Sequence, residues 1–283
     1  MTINLADYAL ALDIWQGNGD INESILQANG VEALLIRMND SAGQLRYDTN
    51  FLTQWAQAKA FKRVAYIVVS PLNIGHTFTA AEVVAWILAW RPVDCNIIAL
   101  DVEIDARVIY NNQTITPAYY SKFVTAIFAG LHAAGITCIQ YSGSWFYLMV
   151  QPWVKPDYVF QWWARYLNSI QPAVTKDANG NNIYPMISWD GLKAKIAALD
   201  WTPLSLGYVE TMTGHISIWQ ISSVWVLPGC QPNDPVDVNI IPRAEFDRIF
   251  GTGAVVVPPV LTLQTLDVRV RRLEALDGLA QGG

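Results

Sequence analysis

A chain of 283 residues, 52% hydrophobic and 15% charged, has ample apolar material for a large core, which excludes a disordered protein and suits a single α/β barrel. A formal net charge of -6, with no Lys/Arg cluster to track phosphates, argues against nucleic acid as a partner. No uncharged apolar run reaches the roughly 18 residues of a membrane span, and Met1-Thr2-Ile3-Asn4-Leu5-Ala6-Asp7 lacks the basic and apolar regions of a secretory signal.

From the start of the chain, short aliphatic runs alternate with stretches of helical period, the pattern of a parallel sheet covered by helices. The expected strands are Ala9 to Ile14, Ala33 to Met38, Arg63 to Val69, Ile97 to Asp101, Thr137 to Tyr141, Tyr158 to Trp162 and Ile216 to Gln220. Amphipathic helices are expected over Asn50 to Lys59, Ala80 to Trp90 and Pro117 to Ala134, from apolar residues at three- and four-residue spacing. Thr79 is placed to cap the second of these, and Thr116-Pro117 opens the third with proline in its first turn. The fold class predicted is α/β, an irregular TIM-like (β/α) barrel.

The regular alternation stops near Tyr166. Residues 167–215 read as an elaboration on the barrel, with Thr175-Lys176-Asp177-Ala178-Asn179-Gly180-Asn181-Asn182 as an exposed loop or hairpin tip. The barrel domain is expected to cover 1–250, followed by a Gly/Pro-rich linker over 251–260. In the tail, 261–283, Leu263, Leu266, Val270 and Leu273 are spaced three, four and three, a short coiled-coil seam. A homotrimer through 263–280 and a frayed monomeric tail both fit two heptads, which are marginal alone.

The chemistry concentrates on carboxylates. Asp101-Val102-Glu103 closes the apolar run Asn96-Ile97-Ile98-Ala99-Leu100, and residues two apart on a strand share a face, about 6.6 Å apart along the chain. In a parallel barrel that end of the strand belongs to the active face. Crowded, partly desolvated carboxyls resist ionisation, and glycoside hydrolysis needs one protonated acid and one anion. A solvated loop and a metal site are the alternatives for this pair. Asp13 ends the first apolar strand, on the same barrel face. Asp237, in Pro235-Val236-Asp237-Val238-Asn239, lies near the domain end and can equally satisfy a helix N-terminus.

In its ordered motifs the sequence resembles the lysozymes of glycoside hydrolase family 25 over about Leu10 to Phe250. The resemblance rests on Asp13 with Asn18-Gly19 and Ile21, on Tyr47-Asp48-Thr49-Asn50-Phe51, and on Asp101-Val102-Glu103. It continues through Gln140-Tyr141-Ser142-Gly143, Ile218-Trp219-Gln220, Leu227-Pro228-Gly229 and Val236-Asp237-Val238-Asn239. It implies an N-acetylmuramidase acting on bacterial peptidoglycan with net retention, without cofactor or metal. Glu103 is then the general acid and base, Asp101 assists the reacting centre, and Asp13 and Asp237 line the cleft. Trp15 departs from the small polar residue usual two positions after the first Asp. Tyr66-Ile67-Val68 likewise stands where the family often has a Tyr-His-Phe-like segment.

Twelve tryptophans and twelve tyrosines exceed what a core requires, so some are expected as stacking platforms for sugar rings. Tyr66, Tyr141, Trp162, Trp219 and Gln220 are the expected substrate-binding residues besides Asp13 and Asp237. Trp15, Trp145 and Trp163 also qualify, with core packing the alternative for each. His76, His132 and His215 form no zinc pattern. Cys95, Cys138 and Cys230 give neither a disulfide framework nor a metal site, and Cys138 reads as a buried thiol.

Two functions are therefore expected. One is a wall hydrolase made in the cytoplasm, such as a phage endolysin, reaching peptidoglycan after release or within a phage or extracellular assembly. The other is a non-catalytic glycan-binding module of such an assembly, with the tail supplying avidity.

Overall fold

The computed structural model describes residues 4–40, 45–70, 72–73, 76–103, 109–110, 113–114, 116–143, 155–164, 170, 172–199, 216–231 and 234–251. The linker and coiled-coil expectations, and Trp145 and His215, lie outside these residues.

Eight strands form a closed barrel: β1 (Tyr8–Ile14), β2 (Val31–Arg37), β3 (Lys62–Val68), β4 (Ile97–Asp101), β5 (Thr137–Ser142), β6 (Val159–Ala164), β7 (Ile216–Trp225) and β8 (Val236–Pro242). The seven expected strands are all present, within a few residues at their ends. Strands β1 to β7 run parallel to their neighbours in the order β1-β2-β3-β4-β5-β6-β7. The eighth, not expected as a strand, closes the barrel antiparallel to both β7 and β1. A parallel return needs a dozen or more residues and usually a helix. The link 226–235 is shorter and has no helix among its described residues, so the chain turns back on itself.

Helices α1 (Glu23–Ala28), α2 (Phe51–Gln57), α3 (Ala80–Trp90), α4 (Pro117–Ala133), α5 (Trp189–Ala197) and α6 (Arg243–Phe250) accompany the barrel. The expected starts of α3 and α4 are observed. The Thr79 side chain accepts from the Glu82 amide while the Glu82 carboxylate accepts from the Thr79 amide, a reciprocal cap. Thr116 accepts from the Tyr119 amide with Pro117 in the first turn. In the elaboration, Thr175–Lys176 pairs with Asn182–Ile183 across the turn expected there. Trp189 Nε1 donates to the Pro228 carbonyl (3.0 Å), tying α5 to the β7–β8 link. Among the described residues no helix is long and apolar enough to cross a membrane.

The barrel splits the apolar residues into two cores. Ala9, Ala11, Ala33, Leu35, Val64, Ala99, Ile139, Ile218 and Ile241 fill the interior, while Leu12, Leu34, Ile36, Ile98, Leu100 and Ile240 pack outward with the helices. Both faces are dry, which is why the strands read as nearly continuous apolar runs. The alternation also fixes direction. Continuing the inward parity toward the C-terminal ends of the parallel strands leads to Asp13, Arg37, Tyr66, Asp101, Tyr141 and Gln220, and on β8 to Asn239 and Asp237.

Candidate active site

At this mouth of the barrel the small aliphatic layers give way to a polar ring. Asp13 and Asp237 are direct partners across β1 and β8, and their carboxyls are hydrogen-bonded to each other. Gln220 Nε2 donates to Asp237 Oδ2 (2.8 Å) and, at longer range, to Asp13 Oδ2 (3.4 Å). Tyr141 Oη donates to Gln220 Oε1 (2.6 Å), which fixes the amide's orientation. Tyr66 also bonds to Asp13. Trp162 Nε1 donates to Asn239 Oδ1 (2.7 Å), and Asn239 Nδ2 reaches back to the Asp237 carbonyl at 3.4 Å. Tyr141 and Gln220 thus form a relay of donors directed at the acids.

Asp101 ends β4, as the expected strand Ile97 to Asp101 has it, and Glu103 lies two residues beyond the ladder. The Val102 amide donates to the Tyr141 carbonyl (3.0 Å), and Ser142 Oγ donates to the Val102 carbonyl (2.9 Å). Val102 is buried in the outer core. The parity therefore survives one residue beyond the ladder, with Asp101 and Glu103 on the inner side of Val102. Asp101 Oδ1 is buried without a hydrogen-bond partner among the described residues. Glu103 is exposed at the rim.

Crowding shapes the protonation of this ring. Burial, then the Asp237 charge, pushes Asp13 well above the usual carboxylate range, against the Tyr66 hydrogen bond. Burial and the neighbouring Glu103 push Asp101 well up. Burial and Glu103 also push Asp237 up to about 7, against hydrogen bonds from Gln220 and Asp13. Desolvation by the surrounding walls raises Glu103, although it sits at the rim. Burial likewise raises the Tyr66 hydroxyl well above its ordinary value, so it stays a donor.

These shifts carry a stability consequence. A folded-state pKa of about 7 against 3.8 for Asp237 means the folded protein holds a proton that the unfolded chain gives up. The Asp237 contribution to stability is therefore full below about pH 4 and falls as pH rises toward 7. At one pKa unit per 1.36 kcal/mol, less what neighbours and water recover, Asp237→Asn gains about 1–3 kcal/mol at pH 7 and little at pH 4. Urea midpoints at the two pH values measure this, and an equal effect at both contradicts the retention of a proton on Asp237 in the folded state.

Asp13, Tyr66, Asp101, Tyr141, Gln220 and Asp237 thus meet at one end of the barrel. Three expected platforms do not lie in the cleft. Trp162 is 0% exposed, in T-shaped contact with Tyr66 and tilted against Tyr141; it is the floor beneath the ring. Trp219 is 8% exposed and belongs to the outer core. Its neighbours Ile218 and Gln220 face inward, so parity turns it outward. Trp163, also in the outer core, follows the same rule. The three cysteines are buried and free, their thiols pushed up to about 12 by burial.

Sequence reasoning did not find Arg37 or the role of Asp48. Arg37 is the next inward position on β2 after Ala33 and Leu35, and that parity was the available signal. Its guanidinium lies 4.6 Å from the Trp15 ring centroid and its Nε 3.4 Å from Asp48 Oδ2. Asp48 is buried and also accepts from the Gln16 and Asn50 amides (3.0 and 2.9 Å). Asn18 anchors the same corner. Its side chain accepts from the Trp15 amide (2.9 Å) and donates to the Pro235 carbonyl (2.8 Å), two residues before Asp237. Gly19 follows with φ of 57°, a left-handed conformation that favours glycine.

No protein-family model matches the sequence, and no curated protein matches it. Solved structures do. A family 25 glycosyl hydrolase from Bacillus anthracis superposes with a TM-score of 0.58 at 14% identity, over 88% of this chain and 97% of that one. The chain has its fold. A bacterial lysozyme from Streptomyces coelicolor (TM-score 0.55, 14% identity, 87% and 98% covered) shares the family 25 fold with it. So does a muramidase from Trichobolus zukalii (0.55, 11%, 86% and 100%). The chain thus shares the fold of these structures over most of its own length and nearly the whole of theirs, at identities that speak for architecture alone.

Proposed function

We propose that the protein is a muramidase, cutting β-1,4 glycosidic bonds of bacterial peptidoglycan. The observation that carries this reading is the acid pair at the mouth of a family 25-like barrel. Asp101 has a buried carboxylate oxygen with no hydrogen-bond partner among the described residues, and Glu103 is accessible with a raised carboxyl. Both carboxyls are raised, Asp101 further than Glu103, so the pair retains a proton; in this reading Glu103, the accessible member, delivers it to the substrate and Asp101 ionises as the reaction proceeds. Glu103 gives its proton to the leaving oxygen as the C1–O bond breaks. The carboxylate of Asp101 stabilises the cationic centre, directly or by orienting the substrate's N-acetyl group. Glu103, now ionised, takes a proton from the incoming water, which restores the starting state. Net retention belongs to this reading through the family resemblance. Asp13, Asp237, Tyr66, Tyr141 and Gln220 line the cleft and offer oxygens and amides to sugar hydroxyls.

The test is digestion of purified peptidoglycan, borohydride reduction of the new ends, and identification of the reduced sugar. Muramic acid at the new ends is expected. Glucosamine ends overturn the bond assignment. Sedimentation of the protein with the wall, without new ends, replaces the enzyme with the glycan-binding module.

A further inference from the structure

Opposite the acid ring, at the other end of the barrel, the elaboration builds a second concavity. Because β8 returns antiparallel through a short link, no crossover helix covers the seam between β8 and β1. Helix α5 lies there instead. Its Leu192 and Ile196 join Ile240 of β8 in the outer core, and it packs against the 3-10 turn Leu5–Asp7 that precedes β1. This cover is incomplete. Between α5, that turn and the starts of β1 and β2 remains a partly enclosed pocket of about 340 Å3, a size within the range of small-molecule sites.

The lining is divided in character. Leu5, Leu10, Ile196 and Ile240 supply aliphatic surface, and Glu32, Lys193 and Arg243 supply charge. Two of these charges satisfy each other. Both terminal nitrogens of Arg243 donate to the two carboxylate oxygens of Glu32, and its Nε donates to the Ala6 carbonyl (3.3 Å). Lys193, half-buried, has no ion pair or hydrogen bond among the described residues. One uncompensated ammonium therefore borders an aliphatic pocket, which suits an anion carried on an apolar chain. Asn29, also in the lining, adds direction. Its Nδ2 is tied to the Ile25 carbonyl (2.7 Å), so the side chain offers its Oδ1 as an acceptor.

We propose that this pocket is a second ligand site, for the C-terminus of a short peptide with small aliphatic side chains. Lys193 takes the carboxylate, Leu10, Ile196 and Ile240 take the side chains, and Asn29 Oδ1 accepts from a peptide N–H. An acyl chain has no N–H for that acceptor. Resting on the muramidase reading for its source, the ligand is a peptide stem of the wall, and the site holds the protein on one strand while the mouth works on another.

The experiment follows backbone amide signals of the full chain by NMR during titration with N-acetyl-alanyl-alanine, in its L,L and D,D forms, with the C-terminal amide of each, and with hexanoate. The proteins are the wild type, Lys193→Glu and Ala6→Trp, which adds an indole at the lip of the pocket. One of the two free acids should bind the wild type with a Kd of about 1 mM, as its size allows, and shift Ile196 and Ile240 rather than the mouth. The amide form and Lys193→Glu should each weaken binding by about tenfold, the worth of a charge-assisted hydrogen bond. Ala6→Trp should weaken it as well. Should Lys193→Glu fail to fold, Lys193→Gln decides by the same comparison.

Equal binding of acid and amide, or binding unmoved by loss of the Lys193 charge, overturns the proposal. So does the absence of shifts with every probe. Hexanoate binding as tightly as the peptides overturns the peptide assignment in favour of an acyl chain. On the same proteins, Lys193→Glu should sediment less with purified wall while cutting soluble glycan fragments at the wild-type rate. A wild type that binds the acid but cuts no wall ends the muramidase reading and leaves the peptide site standing; one that cuts wall and binds no probe does the reverse.

Discussion

Glu103→Gln lowers the rate of peptidoglycan hydrolysis by about 10²–10⁴, the range that a positioned general acid contributes. Glutamine keeps the size and one acceptor of the side chain but has no proton to give. Because Glu103 is exposed at the rim and outside the core clusters, the fold should tolerate the change with little loss of stability. The loss should depend on the leaving group. A poor leaving group such as a sugar hydroxyl needs protonation, whereas an activated aryl oxygen departs with little help. A substrate series with rising leaving-group acidity should therefore close the gap between wild type and variant. A gap of constant size across the series removes Glu103 from the acid role and leaves it a binding residue. Removing Glu103's charge should also relax Asp101 and Asp237, whose carboxyls it pushes up, and their midpoints should fall.

Trp162→Ala should unfold the protein's interior rather than weaken its grip on sugar. The indole is fully buried, packs against Tyr66 and Tyr141, and donates to Asn239. Truncation of a large buried aromatic costs about 3–5 kcal/mol, and here the Asn239 carbonyl oxygen also loses its donor. The relay above the floor should loosen, because Tyr141 both rests on Trp162 and orients Gln220. Denaturant midpoints should drop by an amount matching the packing loss. Saccharide affinity, measured where the variant remains folded, should change far less. A stable Trp162→Ala protein with selectively lost saccharide binding contradicts the placement of Trp162 as floor.

Much of this architecture was legible because an α/β barrel announces itself through length. Aliphatic runs of five to seven residues spaced by helical stretches gave seven strands, and Thr79 and Thr116 marked helix starts through cap chemistry that is local. The acids were legible for the same reason: Asp13 and Asp101 follow their strands directly, and strand ends form the active mouth.

Features that depend on closure were not legible. Strands buried on both faces lose the alternation that would show which residue points inward. In Ile218-Trp219-Gln220, Trp219 looked like the platform and Gln220 like its companion; the barrel turns Gln220 in and Trp219 out. In Leu34-Leu35-Ile36-Arg37, nothing singled out the arginine; parity with Leu35 places it on the inner face at the mouth of the barrel. The strand Val236–Pro242 carried Asp237 in a recognisable motif, yet its antiparallel direction follows from a link too short for a crossover, a constraint that appears only once its partner strands are known. The six residues of α1 are too few to establish a helical period.

The central claim is that the acid ring at this barrel mouth cuts peptidoglycan through Glu103. Its most direct test is the release of reducing ends from purified wall by the wild type and Glu103→Gln, side by side at one pH. The account predicts steady release by the wild type and at least a hundredfold less by the variant; equal release by the two proteins would contradict it.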